Sequence, residues 1–171
     1  SAIKINTFAL TCFSTLGNGV SGFTAQNVGA GKQDRVRKGW RVGISMGFFI
    51  AIPFFVFCCF CANHLIRMFM QTGTDEAVGV GVQFLRIVSP FYFVIVMKLM
   101  TDGLLRGAGN MKSFMIATLS DLILRVALAY ILSGFYQTTG IWMSWPIGWV
   151  IGTVLSLAFY VHMIHRHEKE K

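Results

Sequence analysis

Residues 81–112 read GVQFLRIVSPFYFVIVMKLMTDGLLRGAGNMK, and this stretch decides the fold class. From Ile87 to Met97 it is apolar apart from Ser89, as a bilayer-crossing helix requires. Pro90 removes a backbone donor inside that run and predicts a kink, which membrane helices tolerate when neighbours or water satisfy the freed carbonyl. Lys98, Asp102 and Arg106 follow at four-residue spacing, so plus, minus and plus lie along one helical face. That face is expected to point away from lipid.

The rest of the chain shares this character. Of its 171 residues 54% are hydrophobic and 13% charged, against roughly 25% charged in soluble domains. So little polar surface cannot cover a water-soluble globule. The apolar runs approach about 20 residues and lack the strict alternation of barrel strands. The expected fold is therefore all-α: a polytopic transmembrane bundle of about five helices, spanning approximately 2–28, 42–62, 81–104, 113–132 and 141–164. A net charge of +8 would suit a nucleic-acid partner. Here, however, the basic residues sit mainly between apolar segments, like loops facing an anionic leaflet.

The first segment, 2–28, is the most polar span. Its many Ser, Thr, Asn and Gln residues, Asn18, Gln26 and Asn27 among them, cannot all face lipid, and Gly17, Gly19 and Gly22 allow close backbone approach. Two readings stand: polar glue between packed helices, or the wall of a wet cavity. Next comes VGAGKQDRVRKGWR, residues 28–41, a turn signal followed by five cations. GAGK lacks the GxxxxGK[ST] spacing of a phosphate-binding loop and has no strand before it. With this loop inside, an alternating topology puts Arg106 and Lys112 and the tail's Arg166, Lys169 and Lys171 on the same side, ten of the 15 Lys and Arg. The carboxy terminus is then cytoplasmic.

Val42 to Ala62, with Pro53 as a second predicted kink, is the most lipid-like segment. Asn63 to Val80, around the TGT of 72–74, is a short external connection with some amphipathic character. In the fourth span Asp121 and Arg125 lie one turn apart, about 12 and 18 Å into a core about 30 Å thick. An exposed charge at that depth costs at least about 3 kcal/mol, so these residues should be paired or hydrated. Trp142 and Trp145 mark an interfacial belt at the outer end of the fifth span, where Pro146 lies close by.

Cys12, Cys58, Cys59 and Cys61 lie in apolar segments and read as small buried hydrophobes. His64, and His162, His165 and His167 near the tail, read as interfacial or solvated residues, so no metal is expected. No paired His-acidic or Cys-His arrangement suggests an enzyme. The chain starts at Ser1 without a signal-peptide pattern, and the expectation is a piece of something longer.

Five stretches taken together resemble the carboxy-terminal lobe of the multidrug and toxic compound extrusion (MATE) family of cation-coupled efflux antiporters. They are SGFTAQNVGAGKQDRVRKG at 21–39, FLRIVSPFY at 84–92, DGLLRGAGNMKSFMI at 102–116, LILRVALAYIL at 122–132 and GIWMSWPIGWVIG at 140–152. The resemblance implies two six-helix lobes around a shared cavity, alternating access, a bacterial inner-membrane location and coupling to H+ or Na+. It also implies membrane lipids and drug-like, organic cationic substrates as partners, without nucleic acid. The five spans would match helices eight to twelve, leaving the seventh and the amino-terminal lobe outside the chain. The amino-lobe acidic site has no counterpart here. A carboxylate that some members carry midway along the tenth helix is replaced by the apolar run Phe91 to Met97, and Asp102 lies further toward the cytoplasm. Asn18, Gln26, Asn27, Lys98, Asp102, Asp121 and Arg125 are the candidate cavity or coupling residues, with static ion pairing as the plainer role of the charges. The alternative function is flipping of lipid or polysaccharide precursors.

Overall fold

The computed structural model describes residues 2–69 and 75–169, with the side chains at 69, 137–139 and 167–169 outside that description. Helices run α1 (Ala2–Gly29), α2 (Gln33–Phe60), α3 (Ala62–Phe69), α4 (Asp75–Val88), a 3₁₀ turn (Ser89–Phe91), α5 (Tyr92–Gly107) and α6 (Met111–Lys169). Among the described residues there is no strand. The continuous helical run of α6 doubles back on itself. A side chain on Gly140 would overlap the carbonyl of Leu132, and Gly148 and Gly152 lie against Arg125 and Asp121. Its two arms are Met111–Tyr136 and Gly140–Arg166.

Two starts differ from the sequence expectation by several residues. Helix α2 begins at Gln33 rather than 42, because Arg35, Arg37, Lys38 and Arg41 are good helix formers and solvated cations do not break a helix. The third span begins at Asp75 rather than 81, with Asp75 and Glu76 in the first turn, where acidic side chains favour the positive helix end. It is broken at Ser89–Phe91, with Pro90 at the start of the 3₁₀ turn, whereas α2 runs through Pro53 without interruption. The expected external connection at 63–80 contains α3, and its TGT at 72–74 lies outside the described residues. Four segments, α2, α4–α5 and both arms of α6, are long and apolar enough to cross a membrane. Helix α1 spans about 42 Å by its length but is too polar to join them. The chain is a multi-pass membrane protein.

The same local device closes two of the turns. Gly31 and Gly109, each the second glycine of a GAG, adopt φ of 71° and 79°. After α1, Gly31 N donates to Val28 O and Lys32 N to Asn27 O; after α5, Gly109 N donates to Arg106 O and Asn110 N to Leu105 O. Both are Schellman caps, in which glycine takes the left-handed position. The GAGK sequence is thus the end of a helix.

Helix α5 is the hub, packed against α1, α2 and α6. It runs parallel to α1 in backbone contact, since a Cβ on Gly103 would overlap Gly17 O and one on Gly107 would overlap Ser21 O. Such glycine-lined crossings let helices meet through dispersion and polar contacts, as they must when lipid supplies no hydrophobic drive. Tyr92 Oη donates to Asn6 Oδ1 (3.2 Å), Trp40 Nε1 to Thr101 Oγ1 (3.2 Å) and Thr153 Oγ1 to Val94 O (3.2 Å), tying α1, α2 and α6 to α5. Phe49, Phe57 and Phe60 on α2, and Ile123, Val126 and Tyr130 on α6, face outward as a lipid-suited surface.

Candidate functional site

The charges of α5 and α6 meet in the interior. Lys98 and Asp102 lie one turn apart on α5, in the order less favourable for an isolated helix; tertiary packing holds them together. Lys98 Nζ donates to Asp102 Oδ2 at 2.6 Å, with side chains only 6% and 5% exposed. The second carboxylate oxygen, Oδ1, accepts from Ser156 Oγ on the second arm of α6 at 2.5 Å. Asp102 therefore has a hydrogen bond at each oxygen, as a buried carboxylate requires.

On the first arm, Arg125 Nη2 donates to Asp121 Oδ2 at 2.7 Å, and the guanidinium lies 5.5 Å from the Trp145 ring centre. Asp121 is buried, yet its Oδ1 has no hydrogen-bond partner, and neither does Arg125 Nε. The pairs are neighbours because the second arm is notched by glycine. A Cβ on Gly148 would stand 3.1 Å from Asp121 Oδ1, and one on Gly152 would stand 2.6 Å from Lys98 Cε and 3.3 Å from Asp121 Cβ. The Lys98 stem thus passes over Gly152 beside Asp121. A cavity of about 370 Å3 adjoins the cluster, with Ser14, Arg106, Phe114 and Thr118 in its wall. It is roomy and polar enough for several waters, which need both volume and partners.

Of the seven residues singled out from sequence, the structure gathers Lys98, Asp102, Asp121 and Arg125 at one place. Asn18 lies beside them indirectly, accepting from Arg106 Nη2 at 2.9 Å. Gln26 is exposed, far along α1 from the cluster. Asn27 is turned back on its own helix, Nδ2 donating to Phe23 O at 2.8 Å, and serves the end of α1 rather than a cavity. Spacing alone cannot separate these two roles, because a short amide side chain reaches its own preceding turn as readily as a neighbour. Sequence reading missed Ser156, Gly148 and Gly152. A signal was present in the small residues Gly148, Gly152 and Ser156 at four-residue spacing, the pattern of a close helix crossing. Among the described residues, no three His, Cys, Asp or Glu side chains come together.

Residues 1–131 match the MatE family. The chain belongs to that family. Two curated relatives come from Bacillus subtilis (strain 168). The probable multidrug resistance protein YpnP is 28% identical over 145 residues, covering 84% of this chain and 32% of the relative. The probable multidrug resistance protein YoeA is 22% identical over 149 residues, covering 85% and 32%. The MatE chain thus spans about a third of the length of these relatives. A multidrug resistance MATE family transporter of the MOP superfamily in its inward-facing conformation matches 92% of this chain and 36% of its own, at a TM-score of 0.80 and 19% identity. An outward-facing conformation matches with a TM-score of 0.78 at 20% identity, covering 90% and 34%. This MatE chain therefore has the fold of part of a MATE transporter.

Proposed function

We propose that this chain forms most of the carboxy-terminal lobe of a multidrug efflux antiporter in the bacterial inner membrane, driven by H+ or Na+ and exporting organic cationic amphiphiles. The observation that carries the reading is the buried cluster: two ion pairs side by side, one carboxylate oxygen unpartnered, next to a polar cavity inside a membrane protein. Ionisable groups are costly there and persist where they do work. Near-equal likeness to inward- and outward-facing transporters supports a lobe that moves as a body. The exposed polar stripe Thr7, Thr11, Ser14 and Asn18 of α1 suits a wall facing the second lobe across a wet passage.

A cation reaching Asp121 neutralises the carboxylate that holds Arg125. Lys98, which lies beside Asp121 across Gly152, stays paired with Asp102, which Ser156 ties to the second arm. Loading the ion changes which charges must stay together and so favours one packing of α6 against α5. Substrate favours the other, and the two compete through that difference. The basic end of the bundle faces the cytoplasm in this reading. Flipping of pyrophosphate-linked lipids fits less well, since the cluster's cations, Lys98 and Arg125, are each already paired with a carboxylate.

The test is Asp121→Asn in the intact protein, reading efflux of a fluorescent cationic dye against imposed pH and sodium gradients. Dye efflux should lose its dependence on the gradient while protein abundance holds. A change in abundance alone would remove the coupling role. The 171-residue chain reconstituted by itself should not transport, and robust gradient-driven uptake would overturn the one-lobe assignment.

A further inference from the structure

Because α6 doubles back, its first turn and its last described turns lie together, at the same end of the bundle as the α1–α2 turn. Between them is a cavity of about 630 Å3, separate from the charge cluster. Lys112 comes from the start of α6, His162 and Arg166 from its far end, and Phe159 and Met163 form an apolar side. Among the described residues no carboxylate lines it. The described ion pairs engage neither Lys112 nor Arg166; the side chain of Glu168 is outside the described residues.

Lys112, His162 and Arg166 converge on one concavity from both ends of α6, so an anion placed there would meet two cations and a ring N–H at once. The first helical hydrogen bond of α6 runs from Phe114 N to Asn110 O. The N–H groups of Met111, Lys112 and Ser113 therefore have no acceptor within the helix and add the positive end of its dipole to the same place. The two arms of α6 are joined covalently between Tyr136 and Gly140, but at this end only packing joins them.

We propose that this cavity binds a phosphate group, held by Lys112, His162 and Arg166, and that an occupied site clamps the open end of the α6 hairpin. Two sources share that chemistry: the headgroup of an anionic phospholipid, whose glycerol would lie on Phe159 and Met163, and soluble phosphate. The proposal is independent of what the protein transports.

The intact protein is compared in phosphatidylcholine nanodiscs with and without phosphatidylglycerol, reading melting temperature and, by native mass spectrometry, retained lipid. Phosphatidylglycerol should raise the melting temperature and stay bound, and Lys112→Ala with Arg166→Ala should weaken retention by about tenfold or more, since two charge-assisted contacts are lost. Lys32→Ala with Arg35→Ala, an equal charge change at the same end but outside the cavity, should leave it intact. If the cavity variant does not accumulate, Arg166→Gln alone provides the comparison. Stabilisation of the wild type by inorganic phosphate in detergent, with no preference for phosphatidylglycerol, assigns the site to soluble phosphate. Equal loss in both double variants, or no response to either anion, overturns the proposal.

Discussion

Breaking the Lys98–Asp102 pair one side at a time, and then both together, gives the sharpest measure of how this interior is held. At 2.6 Å and an effective dielectric near 20, the Coulomb attraction is about 6 kcal/mol. Removing two charges from water costs several kcal/mol for each ion, so the net worth of the intact pair is close to zero. Losing one partner is different, because the other remains buried without compensation: Lys98→Met or Asp102→Leu should each cost about 3–5 kcal/mol. The double variant should recover most of that, with Ser156 returning its hydroxyl to the carbonyl of Gly152 one turn back. Reversible unfolding of the intact protein in SDS, followed by tryptophan fluorescence, measures the cycle. The expected coupling exceeds about 2 kcal/mol, above the roughly 0.6 kcal/mol average and 1.7 kcal/mol maximum for interhelical polar pairs in membranes. A coupling below about 0.6 kcal/mol, or a double variant as unstable as the worse single one, would refute a mutually compensating buried pair.

Gly103→Val should prevent accumulation of folded protein, because even a Cβ there overlaps the carbonyl of Gly17; a wild-type peak in size-exclusion chromatography would show that α1 and α5 are not in backbone contact. Tyr92→Phe should cost about 1–2 kcal/mol by stranding Asn6 Oδ1, since Asn6 Nδ2 already lacks a partner. Adding Asn6→Leu should restore stability, and the same unfolding assay checks both. Gly152→Ala should leave abundance near wild type but change the gradient dependence of efflux several-fold, as the new methyl displaces the flexible end of Lys98. Unchanged efflux would separate Lys98 from coupling.

Much of this was legible in order along the chain. The apolar run around Pro90 announced a membrane helix interrupted at the proline, and the interruption is the 3₁₀ turn at 89–91. The spacing of Lys98 with Asp102 and of Asp121 with Arg125 announced two ion pairs, since residues four apart on a helix are neighbours whatever surrounds them. The start of α2 was not legible, because a run of cations satisfies a loop and a solvated helix equally well. Gln26, Asn27 and Asn18 looked alike and proved to be an exposed residue, a local cap and a partner of Arg106.

What the amino-acid order determined by itself was local: helix type, membrane character, the glycine caps at 31 and 109 and the pairing of charges within one turn. These depend on forces acting over a few residues, namely burial, backbone stereochemistry and helical spacing. Only the tertiary structure decided that the two pairs form one cluster, because Ser156 reaches Asp102 across 54 residues and Gly152 brings Lys98 beside Asp121. Those contacts exist because α6 turns back against α5, and the closeness of two helices is set by how their surfaces fit together, which neither helix encodes alone.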